Sequence, residues 1–285
     1  MRTVHSPSKS MLLLFAVLLA AFIMAAPAMG QSKEGVAASQ ESPGSAPKPL
    51  PAMDETNPSK AAKLFDAIDV ETFSKLSALG VAPYVPALAS TTTTADYKVA
   101  LNLGIAVADA LSAAVNKDKD AFLKLASEVH GYGETLGVED AVLAKYTEIT
   151  KATDQGDWKK VEGLIYGLKD DITEQLYKED MKDAAILAMV SGWLEGMYVV
   201  SKSLEQNFND KAAGLLEDRT LASYLNKSLA DLGSDVQGKP EVAAIKAALP
   251  KIDDIINRPL NYKYTKDDAA QIAAVLGPLR DTIVK

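Results

Sequence analysis

Cysteine is absent from this chain of 285 residues, and histidine occurs only twice, as His5 and His130. The absence of cysteine excludes disulfide bonds, thiolate metal sites, a cysteine nucleophile and a lipid-modified N-terminal cysteine. Zinc and iron sites built on pairs or triads of histidine need more imidazoles than a processed chain with His130 alone would supply. We therefore predict no metal ion and no cofactor.

The motifs of common catalytic sites are missing as well. The chain has no Gly-x-Ser-x-Gly turn to place a serine nucleophile and no glycine-rich loop of the kind that binds phosphate. Residues 116–120 superficially resemble a calcium loop, but the glycine at its sixth position and the glutamate at its twelfth are lacking. No catalytic residue is predicted from these patterns.

Positive charge is in the minority, with 30 lysine and arginine residues against 38 aspartate and glutamate residues and a net charge of −8. Because nucleic-acid binding depends on basic side chains that contact phosphate, this balance argues against a nucleic-acid partner. Apolar residues make up 48% and charged residues 24% of the chain, as in ordinary globular proteins. This composition excludes a wholly disordered chain and a multi-span membrane protein.

The N-terminus has the pattern of a secretory signal peptide. Arg2 and Lys9 precede an uninterrupted apolar run over 11–26, and Pro27 and small residues up to Gly30 follow it. The run is shorter than the roughly 20 residues that span a bilayer, so we predict cleavage near Gly30, with an uncleaved membrane anchor as the alternative. Export of a cysteine-free chain favours a Gram-negative periplasm, or secretion.

Two regions follow the signal peptide (1–30). Residues 31–57 are rich in proline, glycine and serine and contain no aromatic residue, which predicts a disordered linker. Residues 58–285 show helical spacing of apolar residues, and strand-like alternation is nearly absent. We predict a single all-α domain there, a bundle of seven to nine helices joined by short loops.

Helix boundaries are predicted from residues that favour helix ends. One helix is predicted over about 210–232, and Pro250 is expected to kink or end another. Aspartate or threonine before an apolar stretch predicts a helix start, more so when an acid follows three residues later. The predicted capping residues are Asp118, Asp157, Asp180 with Asp183, and Thr265 with Asp268.

Two similar stretches suggest an internal repeat. Gly104 and Asp109 lie in an apolar helix that leads to another helix and a Leu-Gly pair, and Gly192 and Glu195 lie in a second such stretch. Two pseudo-repeated helical hairpins would give this pattern. Because the spacings from the acid to the Leu-Gly pair differ by ten residues, chance recurrence is the alternative.

Each of two apolar helix segments contains one acid. Residues 103–111 surround Asp109 with small or apolar side chains, and residues 184–200 contain Glu195 as their only acid. A helix that is apolar all round is usually the central helix of its bundle, where a carboxyl group needs a partner or stays protonated. The two acids either line a polar pocket, as binding groups or as an acid–base pair, or are buried anchors of the packing.

Other candidate binding residues flank these acids or lie in a third helix. Trp193 and Tyr198 are expected either to form the wall of a pocket or to belong to the core. His130 and Tyr132 alternate with two glycines late in a helix, which suggests either a pocket mouth or a frayed helix end. Small residues predict close helix packing at Gly104, Ala188, Gly192 and Gly196.

Two motifs carry a resemblance to a known family. Gly104 and Asp109, separated by four residues on one helix, and the sequence GWLEGMY at 192–198 on a later helix resemble motifs of an uncharacterised family of exported, all-helical bacterial proteins. The resemblance covers the two motifs and the general order of helices. It implies the same fold class and a role for these two helices, but no activity.

Three functions are compatible with the sequence. The favoured one is a periplasmic binding module in which Asp109, Trp193, Glu195 and Tyr198 hold a small cationic or amphipathic ligand. The second is a structural or adaptor protein whose surface binds another protein. The third is an enzyme that uses the two carboxyl groups as acid and base. Neither the ligand, the protein partner nor the oligomeric state is indicated by the sequence.

Overall fold

The computed structural model describes residues 70–87, 93–218 and 221–285, so the predicted signal peptide, linker and first residues of the helical domain lie outside the described residues. Ten α-helices, one 3-10 helix and no strand make up the described part. The helices are α1 (Val70–Ala78), α2 (Asp96–Val115), α3 (Lys119–Thr135), α4 (Glu139–Asp154), α5 (Trp158–Lys178), α6 (Lys182–Gln206), a 3-10 helix (Ala212–Leu216), α7 (Leu221–Ala230), α8 (Ser234–Gln237), α9 (Pro240–Ile256) and α10 (Lys266–Ile283).

The prediction of an all-α bundle is confirmed for this part of the chain. Nine of its α-helices have seven or more residues, within the predicted range of seven to nine. The connections between neighbouring helices are mostly short, as expected for a bundle whose consecutive helices pack side by side.

The centre of the bundle is formed by α2 and α6, which pack along each other. Most residues of both helices are buried on all sides, in keeping with their nearly continuous apolar sequence. α3 packs on α2, and α10 packs on α6. By length and composition α2 and α6 could also cross a membrane, but most of each helix is buried inside this protein.

The remaining helices form the outer layers of the bundle. α4 and α5 pack on each other, and α5 also contacts α2. Near the C-terminus, α9 packs against α10 and α7. The buried apolar side chains of all these helices form one continuous core. Charged side chains in the middle of α2 and α6 are therefore buried.

Three predicted helix starts are confirmed. Asp118 and Asp157 each accept a hydrogen bond from the backbone N–H three residues ahead, at 3.1 and 3.2 Å, and so cap α3 and α5. Thr265 and Asp268 form a reciprocal capping box at the start of α10. These side chains satisfy N–H groups that have no partner within the first turn of a helix.

The predicted capping box at the start of α6 is wrong. Asp180 has a left-handed backbone with a φ of 58°, and α6 begins after Met181 without a side-chain cap. Asp183 accepts a hydrogen bond from the backbone N–H of Gly233 instead, at 3.1 Å. A contact with a residue 50 positions away has therefore replaced the local cap.

The structure also corrects one prediction for the C-terminal third and excludes one of the two outcomes predicted for Pro250. The helix predicted over 210–232 is divided into the 3-10 helix and α7, because Asp218 accepts from the backbone N–H of Leu221 and starts a new helix there. Pro250 lies inside α9 and does not end it.

The two halves of the suggested internal repeat continue differently. While α2 and α3 form a hairpin, α6 is followed by the 3-10 helix.

Candidate functional site

Three charged side chains meet where α2, α6 and α10 pack together. Asp109 of α2 and Glu195 of α6 are each 2% exposed. Arg280 of α10 donates from Nη2 to Asp109 Oδ2 at 2.9 Å and from Nε to Glu195 Oε1 at 2.8 Å. We call Asp109, Glu195 and Arg280 the buried triad. The structure thus brings together the two acids that the sequence singled out, with a cation that joins them.

Both carboxyl groups of the buried triad bind the same edge of the guanidinium. Nε and Nη2 are adjacent donors that commonly form a bidentate contact with a single carboxylate. Here one edge serves two carboxyl groups, which places Asp109 and Glu195 within hydrogen-bond reach of each other. One positive charge therefore faces two acids in a buried, low-dielectric environment.

The balance of charge in the triad favours one retained proton. Burial raises the pKa of Glu195 well above its usual value, and the charge of Asp109 adds to the rise while Arg280 opposes it. Burial also raises the pKa of Asp109, against the lowering effects of Arg280 and of a hydrogen bond with Glu195. Burial by itself would lower the pKa of Arg280, but the two carboxyl groups outweigh it and raise that pKa. A charged Arg280 and a charged Asp109 with a protonated Glu195 form a neutral group.

The position of Arg280 follows from the apolar stripe of α10. Leu276, Leu279 and Ile283 are buried, and Arg280 lies on the same face at helical spacing. Arginine suits such a place because its planar guanidinium stays charged and offers several donors at fixed angles. The side chain of Arg280 is 10% exposed, so its guanidinium reaches the two acids from the edge of the core.

The close approach of α2 and α6 brings their acids together. A Cβ on Gly104 would lie 1.9 Å from the carbonyl oxygen of Ala188 and 2.8 Å from the backbone nitrogen of Gly192. Three of the four small residues predicted to pack closely therefore meet at one crossing. Gly196 lies outside that crossing, since a Cβ there would meet nothing within 4 Å.

A narrow cleft lies beside Asp109, where α2, α3 and α10 meet. The volume open to the centre of a water molecule is about 10 Å³, which is space for about one water. Polar and apolar side chains contribute to the wall in similar numbers. The lining residues are Asn102, Ile105, Ala106, Asp109, Leu125, Glu128, Tyr132 and Arg280.

Two carboxyl groups face this cleft with different degrees of burial. Asp109 Oδ1 is buried and accepts no hydrogen bond from an N–H or hydroxyl group of the described residues, whereas Oδ2 is held by Arg280. Glu128 is half-buried, and its burial, followed by the charge of Asp109, raises its pKa. The amide nitrogen of Asn102 is engaged by the carbonyl oxygens of Lys98 and Ile283, at 2.9 and 3.3 Å. The cleft is therefore acidic, and one of its two acids has a buried oxygen that no N–H group of the described residues holds.

The two aromatic residues predicted to share a pocket with the acids lie outside the cleft. Trp193 Nε1 donates to Asp218 Oδ2 at 3.2 Å, and Asp218 also caps α7. Tyr198 packs edge-on against Tyr84, with the ring centroids 6.0 Å apart. Of the four side chains predicted to form one pocket, only that of Asp109 lines the cleft.

The predicted pair on α3 is divided between two environments. Tyr132 lines the cleft, whereas His130 packs against the ring of Tyr146 on α4, with centroids 5.3 Å apart. His130 Nδ1 also lies 3.8 Å from a carboxylate oxygen of Glu134 on its own helix. Gly133, which follows Tyr132, permits close packing of α3 on α4, because a Cβ there would lie 2.7 Å from a methyl group of Val142.

Two important side chains were not singled out from the sequence. The signal for Arg280 was its place at a core position of α10, in a chain that has only four arginines against many lysines. Glu128 precedes Tyr132 by four residues, a spacing that puts both on one face of α3. A search for charged residues at core spacing would have found the first, and a search for same-face neighbours of Tyr132 the second.

Comparison with protein-family models, with curated proteins and with solved structures found no match to this chain. The resemblance to exported helical proteins therefore stays an expectation that rests on its two motifs. Within the described residues, no group of three or more histidine, aspartate or glutamate side chains could hold a metal ion. The function is accordingly argued from the buried triad and the cleft.

The retained proton predicts how stability changes with pH. Because the folded protein raises the pKa of Glu195, its contribution to stability is full below the usual value of 4.5 and is lost as the pH rises through the folded value. Glu195→Gln keeps a neutral side chain of the same size. We expect the variant to gain stability relative to the wild type as the pH rises above 4.5, by up to about 1.4 kcal/mol per pH unit.

Urea unfolding between pH 4 and pH 8 measures this difference. Glu148→Gln on the exposed side of α4 is the matched control, since it makes the same chemical change at a solvent-exposed residue. The interpretation of Glu195 as a proton-retaining group is wrong if both variants show the same pH dependence relative to the wild type.

Proposed function

We propose that this chain is a binding module for small ligands, and that its site is the acidic cleft beside Asp109. The ligand group that fits is a small cation with hydrogen-bond donors, such as a primary ammonium group. One observation carries the proposal: Asp109 lines the cleft, and its buried Oδ1 accepts from no N–H, serine, threonine or tyrosine group of the described residues. A buried carboxylate oxygen without a donor is costly, and a bound ligand would remove that cost.

The size of the cleft limits what enters it. Space for about one water admits an ammonium group, whereas pockets for drug-sized molecules usually have roughly 300–1,000 Å³. The rest of such a ligand would lie outside the cleft, near Glu128 and Tyr132, which line it from α3. The aromatic residues of α6 are engaged elsewhere, so no aromatic cage is expected.

The charges around the cleft favour a cation over an anion. Arg280 neutralises Asp109, and Glu195 keeps its proton, so the triad has little net charge. Glu128 then leaves the cleft negative whenever its carboxyl group is ionised. An ammonium group that contacts both Asp109 and Glu128 gains two charge-assisted hydrogen bonds in a partly dehydrated place.

An enzymatic use of the two acids gains less support. Acid–base pairs need access to substrate, and glycoside hydrolysis, for example, uses carboxyl groups about 5–10 Å apart on either side of a bond. Glu195 does not line the cleft, and its carboxyl group is bound to Arg280. We also propose that the chain is exported to a periplasm or secreted, because residues 1–30 have the pattern of a signal peptide.

Calorimetric titration with methylammonium chloride tests the proposal, with sodium chloride at the same ionic strength as the blank. We expect saturable binding with one site per chain and no comparable heat from methanol, which has a similar size but no charge. Glu128→Gln is expected to weaken binding about tenfold, since hydrogen bonds to charged groups contribute about 1.5–3 kcal/mol.

The matched control is Glu134→Gln, a change on the same helix at a carboxyl group that is exposed and does not line the cleft. This variant should bind methylammonium as the wild type does. Absence of saturable binding, or an equal loss in both variants, contradicts the assignment of the cleft as a cation site.

A further inference from the structure

We propose that a cation entering the cleft displaces the proton held by Glu195 in the buried triad, so that binding at this site is coupled to proton release. The inference rests on the proposed function and adds its regulation by pH. Its geometric basis is the double role of one side chain: Asp109 binds Arg280 through Oδ2 and is also one of the residues that line the cleft. A ligand in the cleft therefore acts directly on the buried triad.

The charges before and after binding explain the coupling. In the empty site, Arg280 and Asp109 carry opposite charges and Glu195 is neutral because it holds the proton. A bound ammonium group adds a second positive charge beside Asp109. That charge favours the ionised form of Glu195, whose proton leaves to solvent, so that Arg280 and the ligand face the carboxylates of Asp109 and Glu195. One proton leaves for each cation bound, and no other bond is made or broken.

Each helix packed around the triad contributes a charged or titratable group that faces it or the cleft. α10 contributes Arg280, which stays charged, and α3 contributes Glu128 and Tyr132 at the cleft. α6 contributes Tyr198 near Glu195, and burial raises the pKa of that tyrosine. Among the described residues at the cleft, Glu128 is the rival source in the acidic range, because burial and the charge of Asp109 both raise the pKa of its carboxyl group.

The test is calorimetric titration of the wild type with methylammonium at several pH values from 5 to 8, each in two buffers of different ionisation enthalpy. The ligand stays charged throughout, since alkyl ammonium groups like that of lysine titrate near about pH 10.4. We expect the affinity to rise with pH by up to tenfold per pH unit. We also expect up to one proton to pass to the buffer for each ligand bound.

Two variants identify the group that releases the proton. Glu195→Gln should still bind methylammonium but lose the rise of affinity with pH, whereas Glu128→Gln should bind more weakly and keep that rise. Circular dichroism checks that both variants are folded. Should Glu195→Gln fail to fold, the two-buffer measurement on the wild type still decides whether a proton is released.

The remaining outcomes separate the inference from the proposed function. Binding with the same affinity at every pH and no proton release overturns the inference and leaves the cation site standing. Loss of the pH dependence in Glu128→Gln alone also overturns it, because the proton then comes from Glu128. Absence of methylammonium binding at every pH overturns the proposed function itself.

Discussion

Replacing Arg280 by methionine is expected to lower the free energy of unfolding by about 3–5 kcal/mol at neutral pH. Methionine fills a similar volume but leaves Asp109 buried without a counter-charge and Glu195 without the donor that binds its Oε1. Arg280 makes hydrogen bonds to both acids. No other N–H group of the described residues compensates the desolvation of Asp109, because its Oδ1 accepts no such hydrogen bond. Urea unfolding followed by circular dichroism measures the loss.

Two comparisons make this prediction specific. Lys251→Met removes the same charge from an exposed position of α9 and should change stability by less than about 0.5 kcal/mol. The triple variant with Asp109→Asn, Glu195→Gln and Arg280→Met should recover most of the loss, because no buried charge remains in it. A triple variant as unstable as Arg280→Met would show that the loss comes from packing and not from uncompensated charge.

The central place of the two acids could be predicted from the sequence, but their partner could not. Asp109 and Glu195 stand alone in apolar segments, and such helices are buried whatever the rest of the chain does. Arg280 lies 171 and 85 residues away from them. A single sequence contains no signal for a contact at that distance, and apolar spacing on α10 shows only that Arg280 faces the core.

For a related reason, the sequence could not show that the four predicted ligand-binding side chains do not share this cleft. Trp193, Glu195 and Tyr198 lie within six residues of one helix that is apolar on every side, so the pattern does not say which face meets which neighbour. The structure directs Trp193 to Asp218 and Tyr198 to Tyr84, away from the cleft. Proximity in sequence on a central helix is therefore weak evidence for a shared site.

Helix ends show the same division between local and distant causes. The caps at Asp118 and Asp157 depend on backbone groups three residues away, and both were predicted correctly. The box predicted at Asp180 was wrong because Asp183 has a better partner in Gly233, which belongs to another part of the chain. A local motif predicts structure well only where no distant group competes for its side chains.

Replacing Gly104 by alanine is expected to lower the free energy of unfolding by about 2 kcal/mol or more, although alanine is the better helix former by about 1 kcal/mol. The new Cβ would lie 1.9 Å from the carbonyl oxygen of Ala188 and 2.3 Å from the hydroxyl group of Ser191. The first of these atoms belongs to the backbone of α6, so α2 and α6 must move apart. That movement disturbs the packing of the whole centre and separates Asp109 from Glu195.

Two glycines of α6 provide graded controls for this prediction, again with urea unfolding as the measurement. A Cβ on Gly192 would lie 3.3 Å from the carbonyl oxygen of Gly104, so Gly192→Ala needs a small shift and should change stability by less than about 1 kcal/mol. A Cβ on Gly196 meets nothing within 4 Å, so Gly196→Ala should stabilise the protein by up to about 1 kcal/mol through helix propensity. The order of the three variants is the decisive result. If Gly104→Ala proves as stable as Gly196→Ala, then α2 and α6 do not touch at Gly104. In that case this contact does not bring the two acids to one arginine.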